Sequence, residues 1–140
     1  MIGVVLDTNV VVSALLNDEG AEATVLDLAL TGELRLFASE VILEEYEATL
    51  SRPKFAISSE RVLELMAALR TVAVIVVPGK TLAVSGDEPD NRFIECADAA
   101  QTEFLITGNK RHFPAEWKTT RIVNSRELSD LIDLETDEPG

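Results

Sequence analysis

Short apolar runs alternate with amphipathic segments along this chain. The runs are of strand length and rich in β-branched residues, which favours buried strands. Between them, apolar residues recur at helical spacing, and several of these segments follow a Ser and stop near a Gly or Pro. The predicted strands span residues 2–6, 34–37, 72–77, 104–107 and 121–123. The predicted helices span residues 9–16 and 21–30, a segment from Ser39 to about Leu50, one after Ser58 or Ser59, one opening at Asp90, and one from Ser125 through Leu134.

This alternation predicts one α/β domain. Its sheet is expected to be mostly parallel, with four to five strands and with helices on both faces. In such sheets, ligands bind beyond the carboxyl ends of the strands, near the point where the strand order reverses. Asp7 and residues 107–109 directly follow predicted strands, so we expect them at that edge. Asp90, at a helix start, is in reach of the same edge.

The composition fits a single compact domain. With 140 residues, of which 46% are hydrophobic, the chain can bury a substantial core. We expect that domain to cover residues 1–134, followed by an acidic, disordered tail over residues 135–140. No apolar run approaches the roughly 20 residues of a membrane helix, and the N-terminus lacks the pattern of a signal peptide. The prediction is a cytoplasmic protein without membrane contact.

A formal net charge of −13 argues against nonspecific binding to nucleic acid, because affinity for phosphates normally depends on Lys and Arg. Two observations reduce the weight of that objection. Carboxylates at a site are offset by a bound metal ion, and basic residues form small groups at Arg52 with Lys54 and at Lys110 with Arg111. An acidic body also suits a basic protein partner.

Three acidic residues lie in or beside apolar segments that are far apart in sequence. Asp7 ends the first strand, Glu45 falls on the apolar stripe of its helix, and Asp90 opens another helix. Each has an ordinary explanation, since Asp7 suits a helix N-cap and an inward Glu45 can pair with a basic neighbour. Together they indicate a divalent-metal site, because gathered carboxylates repel one another until a cation neutralises them. Mg²⁺ prefers such oxygen ligands and keeps substrate phosphates in its shell, which points to phosphodiester hydrolysis.

Other acidic and basic residues carry weaker signals. Asp87 and Glu88 are interpreted as surface charges of a loop, and Asp98 as a reserve metal ligand. His112 is the only histidine and is expected to pack or cap locally, since no nucleophile motif accompanies it. The chain lacks zinc-type Cys/His spacing and a phosphate-binding glycine loop, so zinc and ATP are not expected.

Taken in order, four segments make the chain similar to the PIN-domain family, metal-dependent ribonucleases that include the toxins of VapC-type toxin–antitoxin pairs. The resemblance runs from Ile2 to about Leu131 and implies a PIN-like three-layer α/β/α sandwich, with residues 1–134 as the nuclease domain. The segments are Val4-Val5-Leu6-Asp7-Thr8-Asn9, Ser39 followed six residues later by Glu45, Asp90-Asn91-Arg92-Phe93-Ile94-Glu95-Cys96-Ala97, and Leu105-Ile106-Thr107-Gly108-Asn109-Lys110-Arg111-His112-Phe113.

The resemblance implies roles for individual residues. Asp7, Glu45 and Asp90 would hold Mg²⁺ or Mn²⁺, with Asn9 and Thr107 supporting the site. The family often has a fourth acid after its Thr-Gly pair, and here Asn109 stands in that place as a neutral ligand. Glu95 and Asp98 are remote substitutes for that acid. The implied partners are an RNA substrate, a basic antitoxin protein and a second copy of the chain in a homodimer.

The basic residues Arg52, Lys110 and Arg111 are candidates for contacts with RNA phosphates, although each suits an ordinary solvated loop charge equally well. Two other functions remain open. A PIN-like scaffold with a weakened site that only binds a protein or RNA partner is favoured by Asn109. A haloacid-dehalogenase-like phosphatase is a distant alternative, because its motif requires a second aspartate where Asn9 stands.

Overall fold

The computed structural model describes residues 1–137, with side chains through residue 133. Alternating strands and helices cover most of this range, and three short 3₁₀ turns, Pro53–Phe55, Glu88–Asp90 and Lys110–His112, lie between them. In chain order the elements are β1 (Gly3–Leu6), α1 (Thr8–Leu16), α2 (Ala21–Leu30), β2 (Arg35–Ala38), α3 (Glu40–Leu50), α4 (Ser59–Val72), β3 (Val74–Ile75), α5 (Asn91–Ala100), β4 (Phe104–Ile106), β5 (Glu116–Trp117), β6 (Thr120–Val123) and α6 (Ser125–Asp137).

The strands form one sheet in the order β3-β2-β1-β4-β6-β5. Every neighbouring pair is parallel except β5 with β6. The predicted mostly parallel α/β sheet is confirmed. The described part of the chain contains six strands, however, where four to five were predicted. The additional strand, β5, is a two-residue antiparallel edge, too short to give an alternating pattern in the sequence.

The third predicted strand, residues 72–77, is much shorter in the structure. Helix α4 continues through Val72, and β3 keeps only Val74 and Ile75. One further backbone hydrogen bond, from Val76 N–H to the Ala38 carbonyl, extends the pairing. Pro78 lacks an N–H to continue it. The β-branched run therefore predicted the presence of this strand correctly, but the predicted length was wrong.

β1 is the central strand that positions the functional edge. Its side chains from Val4 to Leu6 are fully buried, and it pairs with β2 on one side and β4 on the other. The chain connects β1 to β2 first and returns to β4 later, so the strand order reverses at β1. In open parallel sheets this reversal leaves a crevice beyond the carboxyl ends of the strands.

Helix α3 is fixed to the end of β1 by its buried face. Its N-cap Ser39 accepts a hydrogen bond from Ile42 N–H at 3.3 Å, as the sequence predicted. One turn further on, the fully buried Tyr46 donates its hydroxyl proton to the Leu6 carbonyl at 2.5 Å. Burial raises the pKa of Tyr46 well above its usual value, so this phenol remains a donor. The contact holds α3 against the last residue of β1.

Helix α6 ends at Asp137, three residues beyond its predicted end. The rest of the predicted disordered tail, residues 138–140, lies outside the described residues. No helix within residues 1–137 combines the length and hydrophobicity needed to cross a bilayer.

The Tyr46 contact gives a prediction about stability. Tyr46→Phe should lower the free energy of unfolding by about 1–3 kcal/mol, because it removes a buried hydrogen bond and leaves the Leu6 carbonyl with one donor fewer. Urea unfolding followed by circular dichroism measures the change. Val41→Ala, at an exposed position of the same helix, is the control. An unchanged midpoint for Tyr46→Phe would contradict the anchoring role.

Candidate metal-binding cleft

A cleft of about 640 Å³ lies beyond the carboxyl ends of β1 and β4. Residues that are distant in sequence meet on its walls. Asp7 follows β1, Glu45 comes from α3, Asp90 closes the 3₁₀ turn before α5, and Asn109 follows β4. The fold therefore brings the predicted acids and Asn109 to one place, which the sequence reasoning expected.

Asp7 is the most buried of the three acids, with 6% of its surface exposed. Its Oδ2 accepts a hydrogen bond from the Thr107 hydroxyl at 2.7 Å. That hydroxyl in turn accepts the Asn109 backbone N–H at 2.9 Å. Because a hydroxyl has one proton, the Asn109 contact leaves the Thr107 proton directed at Asp7. Thr107 thus links β4 to the carboxylate at the end of β1.

Burial raises the pKa of Asp7 to about 6. The Thr107 hydrogen bond lowers it in part, and the negative charges of Asp90 and Glu45 raise it further. Within the described residues, no Lys or Arg forms an ion pair with Asp7. A buried carboxylate that faces like charges without a cationic partner has the electrostatic environment that a divalent cation would relieve.

Glu45 is half-buried and faces inward, whereas Glu44 is exposed, as the helical pattern predicted. The Thr8 hydroxyl donates a hydrogen bond to Glu45 Oε2. Its neighbour Tyr46 is the residue that fixes α3 to β1. The Thr8 hydrogen bond therefore orients Glu45, on a helix that Tyr46 holds against β1.

Asp90 lies at the rim of the cleft, with 15% of its side chain exposed. Burial raises its pKa, and the nearby charge of Asp87 adds to this effect. The loop before it is held by the buried Asn91, whose Oδ1 accepts hydrogen bonds from Val84 N–H at 3.0 Å and Ser85 N–H at 2.7 Å. Hydrogen bonds to Asn91 thus hold the loop that precedes Asp90 in place.

The expectation for His112 was wrong. Its Nδ1 lies 3.3 Å from Asp90 Oδ2 and 3.9 Å from Asp87 Oδ2, so it faces the rim acids instead of packing locally. Among the described residues, Asp87, Asp90 and His112 are the group of three whose ligand atoms all lie within 4.8 Å of one another. Asp7 and Glu45 line the same cleft outside that close group. The sequence did not reveal this group, because His112 lies in a turn between β4 and β5 that only the fold places next to Asp87 and Asp90.

The two predicted supporting residues both form hydrogen bonds near the cleft. Thr107 donates to Asp7, and Asn9 Oδ1 accepts from Gly108 N–H at 3.1 Å. The Asn9 contact ties the start of α1 to the loop after β4. The Asn109 side chain is exposed on the cleft wall, where an amide oxygen can face a ligand.

The reserve ligands lie elsewhere. Asp98 accepts a hydrogen bond from Trp117 Nε1 at 3.1 Å and pairs with Lys118 at 2.8 Å. These partners lower its pKa. Glu95 accepts the Leu82 N–H and pairs with Arg92, both at 2.9 Å. Neither carboxylate lines the cleft, and each already has its own hydrogen-bond and ion-pair partners, so neither takes the place of the missing fourth acid.

The three basic residues proposed to contact phosphates differ in their position relative to the cleft and in their ion pairs. Arg52 lines the cleft and has no ion pair within the described residues. Lys110 pairs with Glu127 Oε1 at 2.8 Å, which neutralises much of its field. Arg111 is exposed, and neither it nor Lys110 lines the cleft. Only Arg52 therefore stands beside the predicted acids.

These features define an α/β protein with an acidic cleft at the carboxyl ends of its central parallel strands. The sequence matches the PIN domain family across residues 3–111. The chain belongs to the PIN domain family, and the fold inferred from the resemblance is confirmed.

Two known proteins are similar to the chain. The uncharacterized protein MJ1680 of Methanocaldococcus jannaschii is 36% identical over 112 residues, covering 78% of this chain and 72% of that protein. A crystal structure of VapBC2 from Rickettsia felis, bound to a DNA fragment from their promoter, matches with a TM-score of 0.56 and 15% identity. That match covers 88% of this chain and 98% of the other, and at this identity it shows a shared fold.

The raised pKa of Asp7 predicts that the free energy of unfolding of the metal-free protein depends on pH. Because the folded pKa is about 6 and the ordinary value is 3.8, folding favours the protonated acid, and stability falls as pH rises from about 4 to 6. The loss approaches about 3 kcal/mol at neutral pH. Asp7→Asn should remove this slope, and so should be more stable than the original protein at pH 7 in EDTA.

Urea unfolding between pH 4 and pH 7.5 in EDTA measures the difference. Asp18→Asn, which removes a charge from the exposed turn between α1 and α2, is the matched control and should leave the slope in place. Equal pH dependence in the Asp7→Asn variant and the original protein would contradict the assignment.

Proposed function

We propose that this protein is a metal-dependent ribonuclease that hydrolyses RNA phosphodiester bonds. One observation carries the proposal: a buried, uncompensated carboxylate, Asp7, faces Glu45 and Asp90 across a cleft at the functional edge of a PIN domain. Such an electrostatic environment suits a divalent cation, and hydrolysis of a phosphodiester is the chemistry that this cation would assist.

The donor set fits Mg²⁺ or Mn²⁺. Asp7, Glu45 and Asp90 supply carboxylate oxygens, and Asn109 supplies an amide oxygen. When bound, the ion would lower the pKa of a water molecule and stabilise negative charge on the phosphoryl oxygens. Two Thr hydroxyls would keep the carboxylates in place, because Thr107 donates to Asp7 and Thr8 donates to Glu45.

Arg52 is the residue we assign to substrate phosphate. Its guanidinium is free of ion pairs in the described structure, and it lines the same cleft as Asp7, Glu45 and Asp90. A guanidinium can bind two phosphate oxygens at once, which would orient the backbone for attack. Lys110 and Arg111 remain candidates for weaker contacts farther along the strand.

We also propose that the protein acts in the cytoplasm as the toxin of a type II toxin–antitoxin pair. The family and the shared fold with the Rickettsia felis VapBC2 structure support this role. The net charge of −13 favours a basic antitoxin as the protein partner. A homodimer is the expected assembly. Light scattering after size-exclusion chromatography tests it, and a single species with the mass of a monomer would contradict the homodimer.

Cleavage assays test the enzymatic proposal. Purified protein should cut members of a panel of structured and single-stranded RNAs in Mg²⁺ or Mn²⁺ and not in EDTA. Asp7→Asn should reduce cleavage to background, because the substitution removes a charge while keeping shape and the Thr107 hydrogen bond. Asp18→Asn should retain activity. Full activity in folded Asp7→Asn protein would refute the assignment.

A second experiment separates the basic residues. Arg52→Gln should weaken RNA binding and reduce the salt dependence by about one phosphate contact, since Arg52 lines the cleft and has no ion pair within the described residues. Lys54→Gln removes a charge two residues away, outside the cleft, and is the matched control. Binding measured at several salt concentrations, with Asp7→Asn protein to prevent turnover, gives the comparison. Equal effects of the two substitutions would contradict a role specific to Arg52.

The exposed Asn109 supports a second candidate function, a scaffold that binds its partner without cleaving RNA. Its neutral amide takes the place of a carboxylate and so reduces the charge available to hold metal. Metal-dependent stabilisation without cleavage of any RNA in the panel would favour the scaffold over the nuclease.

A further inference from the structure

Asp87, Asp90 and His112 form a compact cluster at the rim of the cleft. One ligand atom from each residue lies within 4.8 Å of the other two. The set is mixed, with two carboxylates and one imidazole nitrogen. Its members come from two separate segments, the loop before α5 and the 3₁₀ turn Lys110–His112.

A single hydroxyl ties these two segments together. Ser85 Oγ donates to the His112 carbonyl at 2.6 Å and accepts the Asp87 backbone N–H at 3.1 Å. Ser85 is itself buried, and Asn91 holds its backbone N–H and carbonyl. The segments that carry Asp87 and His112 are therefore fixed relative to each other by the two hydrogen bonds of the Ser85 hydroxyl. Such preorganisation is what a ligand site requires of its supporting residues.

The imidazole changes which ions this rim suits. Mg²⁺ is a hard cation that takes oxygen ligands almost exclusively, whereas divalent transition-metal ions accept an imidazole nitrogen readily. The nitrogen lies three residues after Asn109, the position where a carboxylate was expected. His112 thus supplies a ligand near the place where the chain lacks an acid.

We propose that Asp87, Asp90 and His112 together bind a divalent transition-metal ion, with His112 as a nitrogen ligand that favours Mn²⁺ over Mg²⁺. The inference rests on the proposed function only through Asp90, which belongs to both groups of residues. It extends that function by assigning metal selectivity to residues outside the acidic trio.

The lone histidine makes a direct test possible. In the untagged 140-residue chain, any imidazole nitrogen coupled to bound Mn²⁺ must come from His112. Pulsed electron paramagnetic resonance of the Mn²⁺ complex should show nitrogen modulation typical of imidazole. The modulation should vanish in His112→Gln, whose fold is checked by circular dichroism.

Affinities provide a second readout that does not depend on activity. His112→Gln should weaken Mn²⁺ binding at least about tenfold, because even loss of a residue that only orients a ligand costs roughly 10–100-fold. Mg²⁺ binding should be little affected. Asp87→Asn should weaken Mn²⁺ binding while retaining the nitrogen modulation at saturating metal. Asp18→Asn is the matched control for charge.

Three outcomes would overturn the inference. Bound Mn²⁺ without nitrogen modulation would show that His112 is not a ligand. Equal loss of Mg²⁺ and Mn²⁺ affinity in His112→Gln would show that His112 acts only as a hydrogen-bond partner of Asp90. Failure of Mn²⁺ to bind the folded protein would remove the site altogether.

The two proposals fail separately. Metal-dependent RNA cleavage without nitrogen modulation would leave the ribonuclease intact and overturn the role of His112. Nitrogen modulation in a protein that cleaves no RNA would establish the site and count against the nuclease.

Discussion

The buried carboxylate of Asp7 at the end of β1 is the constraint on which the functional edge depends. A charge in that position is destabilising unless donors and a cation compensate it. The structure provides one strong donor, Thr107, and brings Glu45 and Asp90 to the same cleft, while no Lys or Arg of the described residues forms an ion pair with Asp7. The elements around Asp7 are tied to it or to each other, through Tyr46 to Leu6 and through Asn9 to Gly108. These hydrogen bonds therefore hold in place a buried carboxylate whose negative charge has no cationic partner among the described residues.

The cleft contains two distinct environments. At Asp7 the cleft is nearly closed to solvent, so the free-energy cost of ionising this carboxyl comes mainly from burial. Its rim, at Asp87, Asp90 and His112, is more open and includes an imidazole nitrogen. Asp90 belongs to both environments. A cation near Asp90 would consequently be influenced by the carboxylates below it and the imidazole beside it.

The proposed binding of RNA has to be reconciled with the net charge of −13. Several cations are already engaged, including Arg70 with Glu40, Lys110 with Glu127 and Lys118 with Asp98. Such exposed pairs add little stability, but they reduce the positive field of the surface. Arg52 differs because it lines the cleft without an ion pair. Recognition of a polyanion would accordingly depend on the cleft and its bound cation more than on the surface as a whole.

The sequence by itself determined the α/β class, the strand ends that carry Asp7 and Thr107, and the inward face of Glu45. These follow from local periodicity and capping, which depend on residues close together in the chain. Sequence also located the Asp90 helix start, but it could not place His112, because its contact with Asp90 joins positions 22 residues apart, with α5 and β4 between them. The edge strand β5, the true partners of Asp98 and the ion pair of Lys110 were likewise settled only by tertiary structure. The strand β5 pairs with β6 in a tight hairpin, and its two residues are too few to show an alternating pattern. For His112, Asp98 and Lys110 the deciding interaction is a contact between residues far apart in sequence, whose partner no local pattern specifies.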